Sequence, residues 1–468
     1  MLKQFATILC SALVVVSAVA QTQQPAPADN TAPFKEAAKE AVQESKETAK
    51  NPAQTAAPTA VPAGPVNDLA AARDAAARDV AAAKAAMASV KGSLVIIGGG
   101  LRGDNADVWQ KIVALAGGKG AKIAVFPSAS GTPERSAQSI IEYLRKYGAD
   151  PFAVPVAVRL ADSDYRKAAD DAAIADKVRR AGGVYFAGGD QTRITQALVR
   201  EDGTRTAALE AVWEVYRRGG VVAGTSAGAA IMSSTMFYNP RTILGMLRAG
   251  VTEGKEIAPG LGFIGDDVFV DQHMLVRGRF ARMIPAMLAK NYKLGLGVDE
   301  DSAMVINARR EVEVIGYTGA ILIDLSHVVR DTTKPDFNVS NVRISYLDRG
   351  DKFNIITQSF TPSPDKAGGR LDPARPSLRG PVYSNDVLGN SAVVDIMERL
   401  IDSDQEEAIG VAFGNPRSAT PEVGFEFRFS KMPESVGYVS SVAEAYSVLN
   451  IRLDIRPVDI PRPMYKYR

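Results

Sequence analysis

From Gly92 onward the chain alternates two textures. Short apolar runs at 93–97, 122–126, 152–158, 183–187 and 221–223 each close on glycine or a polar residue, as buried strands do. Between them, near 107–116, 134–147, 166–180 and 205–217, apolar side chains recur every three or four positions, as on amphipathic helices. Strands alternating with helices predict an α/β domain with a mostly parallel sheet flanked by helices. In such sheets functional groups gather beyond the carboxyl ends of the strands. The Gly98-Gly99-Gly100 run, Gly188-Gly189-Asp190-Gln191 and Gly224-Thr225-Ser226-Ala227-Gly228 all stand at such ends.

The pattern changes on both sides of this region. Residues 331–468 are loop-rich, with proline-containing stretches at 332–341 and 361–379. Strands are expected there at 342–346, 353–357 and 425–429, and helices at 392–401 and 441–449. This predicts a C-terminal α+β extension, either an accessory region or decoration that lengthens the sheet. At the other end, Met1-Leu2-Lys3, an apolar run at 8–16 and Ala18-Val19-Ala20 predict a secretory signal peptide over 1–20. The apolar run is too short to span a bilayer, and Leu9 before Cys10 argues against a lipoprotein acceptor. Residues 21–90 are rich in Ala, Pro, Gln and Lys. They read as a disordered linker followed by a helical lead-in at 68–89. The catalytic domain is expected over 91–330.

The richest signal is the G-x-S-x-G of Gly224–Gly228. A serine at a sharp strand-to-helix corner needs neighbours without bulk, and the helix that follows aims free N–H groups at the same spot. Composition narrows the chemistry. Cys10 is the only cysteine, so a chain cleaved after Ala20 has no thiol nucleophile, disulfide or thiolate zinc site. The two histidines, His273 and His327, are the only imidazole bases on offer. Asp271-Gln272-His273 follows the apolar run 268–270, which makes His273 the stronger candidate. Orientation of that imidazole needs an acid, and Asp299, Glu300 and Asp301 follow the strand at 294–298. Strand alternation points Asp299 and Glu300 to opposite sides and leaves the choice between them open. Arg277, Arg279 and Arg282 crowd the start of the next helix, where like charges repel unless an anion answers them. A net charge of +2 gives no field for nucleic acid. Asp266, Asp267 and Asp271 with the acids at 299–301 show no repeated ligand spacing, so neither a metal nor a cofactor is expected.

Taken together, Gly188-Gly189-Asp190-Gln191, Gly224-Thr225-Ser226-Ala227-Gly228-Ala229, Asp271-Gln272-His273 with Arg277, Arg279 and Arg282, and Gly295–Glu300 resemble the cyanophycinases over roughly residues 92–330. These are serine peptidases related to the aspartyl dipeptidases, with a class I glutamine-amidotransferase-like (flavodoxin-like) fold. The resemblance implies hydrolysis of cyanophycin, a polyaspartate with arginine amide-linked to each β-carboxylate, to β-aspartyl-arginine dipeptides. It implies Ser226 as nucleophile, His273 as base and Glu300 as orienter. The oxyanion hole would be the N–H of Ala227 with one from Gly189 or Asp190. Gln191, Asp271, Gln272, Arg277, Arg279 and Arg282 would line the substrate pocket. The partner is then the polymer or an aspartyl-arginine peptide, met outside the cytoplasm, with no stable membrane insertion and with a homodimer as the assembly to test for. Met274 stands where the family commonly has an aromatic. The other readings are a peptidase of the same clan acting on other aspartyl peptides, and a non-catalytic protein that captures anionic peptides. A lipase-type hydrolase shares the elbow but orders its triad Ser, acid, His.

Overall fold

The structure, a computed structural model, describes residues 90–334, 336–414 and 423–461. The expected signal peptide (1–20), and the linker and helical lead-in up to residue 89, lie outside the described residues.

Two nine-stranded sheets make the frame. In the first, five strands run side by side and parallel: Ser93–Ile97, Val221–Thr225, Gly183–Phe186, Lys122–Phe126 and Asp150–Ala153. Four antiparallel strands extend it beyond Ser93–Ile97: Ser302–Ile306, Glu311–Gly316, Lys352–Asn354 and Phe360–Thr361. The parallel strands are apolar on both faces because helices cover both faces. Ala207–Arg217 shows how the sequence builds such a cover. Thr206 caps the Leu209 N–H, and Leu209, Val212, Trp213 and Tyr216 form one buried stripe. This is the α/β fold with a central parallel sheet that the alternating pattern predicts.

The second sheet begins on Val268–Gln272, which pairs in parallel with Leu294–Val298. It continues through Ala320–Asp324, Val339–Leu347, Tyr446–Asp459, Val423–Ser430, Glu407–Phe413 and Val382–Ser384, with Val436–Val439 paired alongside Tyr446–Asp459. The segment after 330 therefore lengthens a sheet that starts on the strand preceding His273.

Several local expectations change. The strand expected at 152–158 starts earlier, at Asp150, and stops at Ala153; the Val154 N–H still donates to Val125 O, but the Val156 N–H turns back onto Val154 O and the chain leaves the sheet. The helix expected at 166–180 is two, Tyr165–Asp170 and Ala172–Arg179. Asp171 leaves helical geometry, and its carboxylate accepts from the Ile174 N–H to start the second. The strand expected at 353–357 ends at Asn354, whose side-chain oxygen takes the N–H groups of Ile356 and Thr357 into a turn. The helix expected at 441–449 does not form. Residues from Tyr446 enter the long strand Tyr446–Asp459, where pairing on both sides outweighs local helical spacing.

Where the two sheets approach each other, a buried ionic cluster joins them. Lys366, 1% exposed, places Nζ 2.7 Å from Asp348 Oδ2 and 3.5 Å from Asp351 Oδ1. Asp351 also accepts from Ser447 Oγ and from the N–H groups of Asp348 and Ser363. Asp348 follows a strand of the second sheet and Asp351 precedes one of the first, so the cluster closes the crossover. Among the described residues no helix is long and apolar enough to cross a membrane.

Candidate active site

Four strand ends converge: Ile97 and Thr225 from the first sheet, Gln272 and Val298 from the second. The convergence is held by backbone bonds. The Ser226 N–H donates to Ile97 O at 3.0 Å, and the His273 N–H donates to Gly98 O at 2.9 Å.

Ser226 sits at the elbow with φ +52° and ψ −108°, a strained conformation for a residue with a side chain. The glycines on either side are required by close approach. A Cβ on Gly224 would stand 2.1 Å from Gly228 O, and one on Gly228 would stand 2.4 Å from Phe186 O. Ser226 Oγ lies 2.8 Å from His273 Nε2. The other ring nitrogen, Nδ1, meets Glu300 Oε1 in a short contact. His273 is 7% exposed and also has positive φ, +50°. Its ring lies flat on Gly99, where a Cβ would come within 2.2 Å of Cε1.

Electrostatics favour the neutral imidazole. Burial holds the His273 pKa below its ordinary 6.5, Glu300 opposes that by stabilising the imidazolium, and Arg277 and Arg279 push it down again. Glu300 is held below the usual range, first by its hydrogen bond to His273. A hydroxyl in contact with a neutral imidazole, itself oriented by a carboxylate, can lose its proton as it attacks a carbonyl.

The structure separates the two acids that strand alternation could not. Glu300 faces His273, whereas Asp299 turns away and accepts from the N–H groups of Leu275 and Val276. Asp301 takes the Arg102 N–H and Asn105 Nδ2, which fixes the loop after the glycine run. Of the two expected partners for the Ala227 N–H in an oxyanion hole, Asp190 is ruled out. Its N–H donates to Ala129 O at 2.9 Å, and its side chain caps the helix Gln191–Leu198. Gly189 remains, and Gly188 abuts the elbow, with a Cβ there lying 3.3 Å from Ser226 Cβ. The Ala227 N–H, first in the helix Ala227–Ala230, has no intrahelical partner.

The residues expected to meet substrate divide into two groups. Asp271, 1% exposed, forms a two-bond pair with Arg282, at 2.7 Å for both Nε–Oδ2 and Nη2–Oδ1. Arg282 also lies 4.1 Å over the Phe237 ring. The expectation that both Asp271 and Arg282 stand free for substrate therefore gives way, since a carboxylate this buried needs a counter-charge. Arg279 differs. Its Nη1 donates to Gln272 O at 3.0 Å and Gln272 Oε1 at 2.9 Å, both neutral acceptors. Burial, then repulsion by Arg282, pulls its pKa down to about 9, so it remains a cation at neutral pH. Arg277 is half exposed and reaches Glu300 only at 3.8 Å. Gln191 Nε2 donates to Phe237 O at 2.6 Å, leaving its carbonyl oxygen uncommitted by that bond. His327 is exposed and far along the chain in a turn after Ala320–Asp324. The packing of Gly99 under the imidazole and of Phe237 under Arg282 was not foreseen, though the three-glycine run at a strand end was a signal for the first. Among the described residues no three His, Cys, Asp or Glu side chains gather to hold a metal.

The profile of peptidase family S51 matches residues 94–313, a span that holds every residue of the site. A cyanophycinase from Synechococcus elongatus is 31% identical over 278 residues, covering 57% of this chain and 80% of its own. The chain belongs to peptidase family S51. It is a serine-type peptidase. A cyanophycinase from Trichormus variabilis is 28% identical over 286 residues, 59% of this chain and 89% of its own. A solved structure, a peptidase from an acI-B1 Actinobacterium, covers 50% of this chain and 90% of its own at 22% identity, with a TM-score of 0.38.

Proposed function

We propose that this peptidase degrades cyanophycin from a chain end, releasing β-aspartyl-arginine, through an acyl-enzyme on Ser226. Ser226 Oγ attacks the backbone carbonyl between two aspartyl units while His273 Nε2 takes its proton. The oxyanion is received by the N–H groups of Ala227 and Gly189. The imidazolium, steadied by Glu300, returns the proton to the leaving amine. A water then repeats the sequence on the ester and frees Ser226.

The observation that carries the substrate reading is the positive charge of Arg279, which is hydrogen-bonded to no carboxylate and is backed by Arg277, beside the Ser226–His273 pair. Each cyanophycin unit carries a free carboxylate on its arginine, which a guanidinium recognises well. The uncommitted carbonyl oxygen of Gln191 suits the guanidinium at the other end of the same side chain, whereas Gln272, whose Oε1 is taken by Arg279, has its Nε2 left to donate to the carboxylate. The names of the relatives at about 30% identity support the same substrate. The signal-peptide pattern over 1–20 adds export to this reading.

The test is incubation of purified enzyme with cyanophycin and, separately, with Asp-X dipeptides, the products being read by mass spectrometry. Release of β-aspartyl-arginine by the wild type and not by Ser226→Ala is expected. Cleavage of the dipeptides with no release from cyanophycin would replace this reading with that of another aspartyl peptidase.

A further inference from the structure

We propose that Asp299 is a positioning residue that locks the base and the arginine segment into one unit, so that alignment of His273 and presentation of Arg277 and Arg279 depend on a single buried carboxylate. The inference rests on the catalytic reading of Ser226 and His273 above.

Between the end of the strand Val268–Gln272 and the helix Phe280–Lys290 lie seven residues, 273–279, in irregular backbone. They carry His273, Arg277 and Arg279, so base and substrate cations share one short connection. A connection of this kind holds a geometry only if its N–H groups are tied down. His273, at positive φ, is tied to Gly98 O, and the Met274 N–H donates to Val298 O at 3.3 Å. The next two N–H groups, those of Leu275 and Val276, both donate to Asp299 Oδ1, at 2.9 and 3.1 Å. From there the turn closes on itself, with Gly278 donating to Leu275 O and Arg279 to Met274 O. Asp299 is thus the only side chain among these anchors, and it grips the midpoint between the base and the two arginines.

The carboxylate is well placed for this. Asp299 is 4% exposed, and burial raises its pKa while the two backbone N–H groups oppose that shift. Its own backbone is fixed by packing of Asp299 O against Gly98, where a Cβ would fall 1.9 Å away. Through Gly98 the same residue therefore touches the strand end to which His273 is bonded. Glu300 acts on the imidazole directly, while Asp299 acts on the backbone that carries it. A small displacement of a reacting group costs orders of magnitude in rate.

Three readouts test this: the kcat and KM for peptide release, and the rate at which a serine-directed phosphonate labels Ser226 without any need for substrate recognition. In Asp299→Ala, kcat should fall at least about tenfold, KM should rise at least about fivefold, and labelling should slow about tenfold. Asp299→Asn keeps a carbonyl oxygen for the two N–H groups and should recover all three to within about fivefold of wild type. Glu300→Gln is the contrast, lowering kcat and labelling while leaving KM near wild type. The proposal is overturned if folded Asp299→Ala matches wild type within twofold in kcat and KM, or if Asn and Ala are equally impaired. It is also overturned if Asp299→Ala and Asp299→Ser both fail to fold, which would make the residue part of the fold alone. If Ser226→Ala retains activity, the catalytic reading fails, and that result is distinct from any of these.

Discussion

Two of the buried charged groups among the described residues, the cluster between the sheets and the one beside Ser226, are balanced differently. In the cluster between the sheets, Lys366 has two carboxylates, and Asp351 is further satisfied by a hydroxyl and two backbone N–H groups. In the pocket, Asp271 and Arg282 close on each other, but Arg279 is bonded only to neutral oxygens, with Arg277 nearby and Glu300 engaged by His273. The first group is complete without a ligand. The second carries positive charge that a ligand can answer. Burial of charge alone does not mark a function; burial without a matched partner beside a reactive group does.

The contrast can be broken at several points. Ser226→Ala removes the nucleophile and should reduce product release by about 10⁵-fold or more, measured over long incubations to detect any residue of activity. Glu300→Gln should lower kcat about 10²- to 10³-fold, less than for a fully buried triad acid, because Glu300 is 32% exposed. The same substitution has a pH signature. Activity needs neutral His273, so it falls as pH drops through a pKa that burial already holds below 6.5. Glu300 raises that pKa, so its loss should move the acid limb of kcat/KM to lower pH. Arg277 lowers it, and Arg277→Ala should move the limb the other way. A limb that shifts in the same direction in both variants would contradict this assignment of charges.

Arg279→Ala should raise KM about 10²-fold with a smaller change in kcat, and Arg279→Lys should recover only part, since an ammonium cannot fork onto a carboxylate. The cluster between the sheets should answer in another currency. Lys366→Met leaves two buried carboxylates facing each other and should cost about 3–5 kcal/mol by urea denaturation. Its kcat and KM at 20 °C should stay within about twofold of wild type, the smallest effect on activity in this series.

Much of this was readable from the chain. The parallel strands declared themselves as short apolar runs, and Gly224 and Gly228 marked the elbow because a Cβ at either would run into backbone. What the sequence could not supply was pairing. Asp271 and Arg282 are eleven positions apart and both looked available, yet burial joins them. Asp299 and Glu300 were separable only in direction, and the assignment needed the position of the His273 ring. At 441–449 the residues Val442, Ala445, Tyr446 and Leu449 have helical spacing, but two neighbouring strands outweigh it. Asp190 carried a motif match, and only its bond to Ala129 O showed its N–H to be spent.

In the function proposed above, Arg279 binds the carboxylate of an arginyl side group. Titration calorimetry on the Ser226→Ala protein tests it, using β-aspartyl-arginine and its analogue β-aspartyl-agmatine, which lacks that carboxylate. The dipeptide should bind at least about tenfold more tightly than the analogue, and adding Arg279→Ala should abolish the difference. Equal affinity of the two ligands for the Ser226→Ala protein, or a preference that survives loss of Arg279, would contradict it.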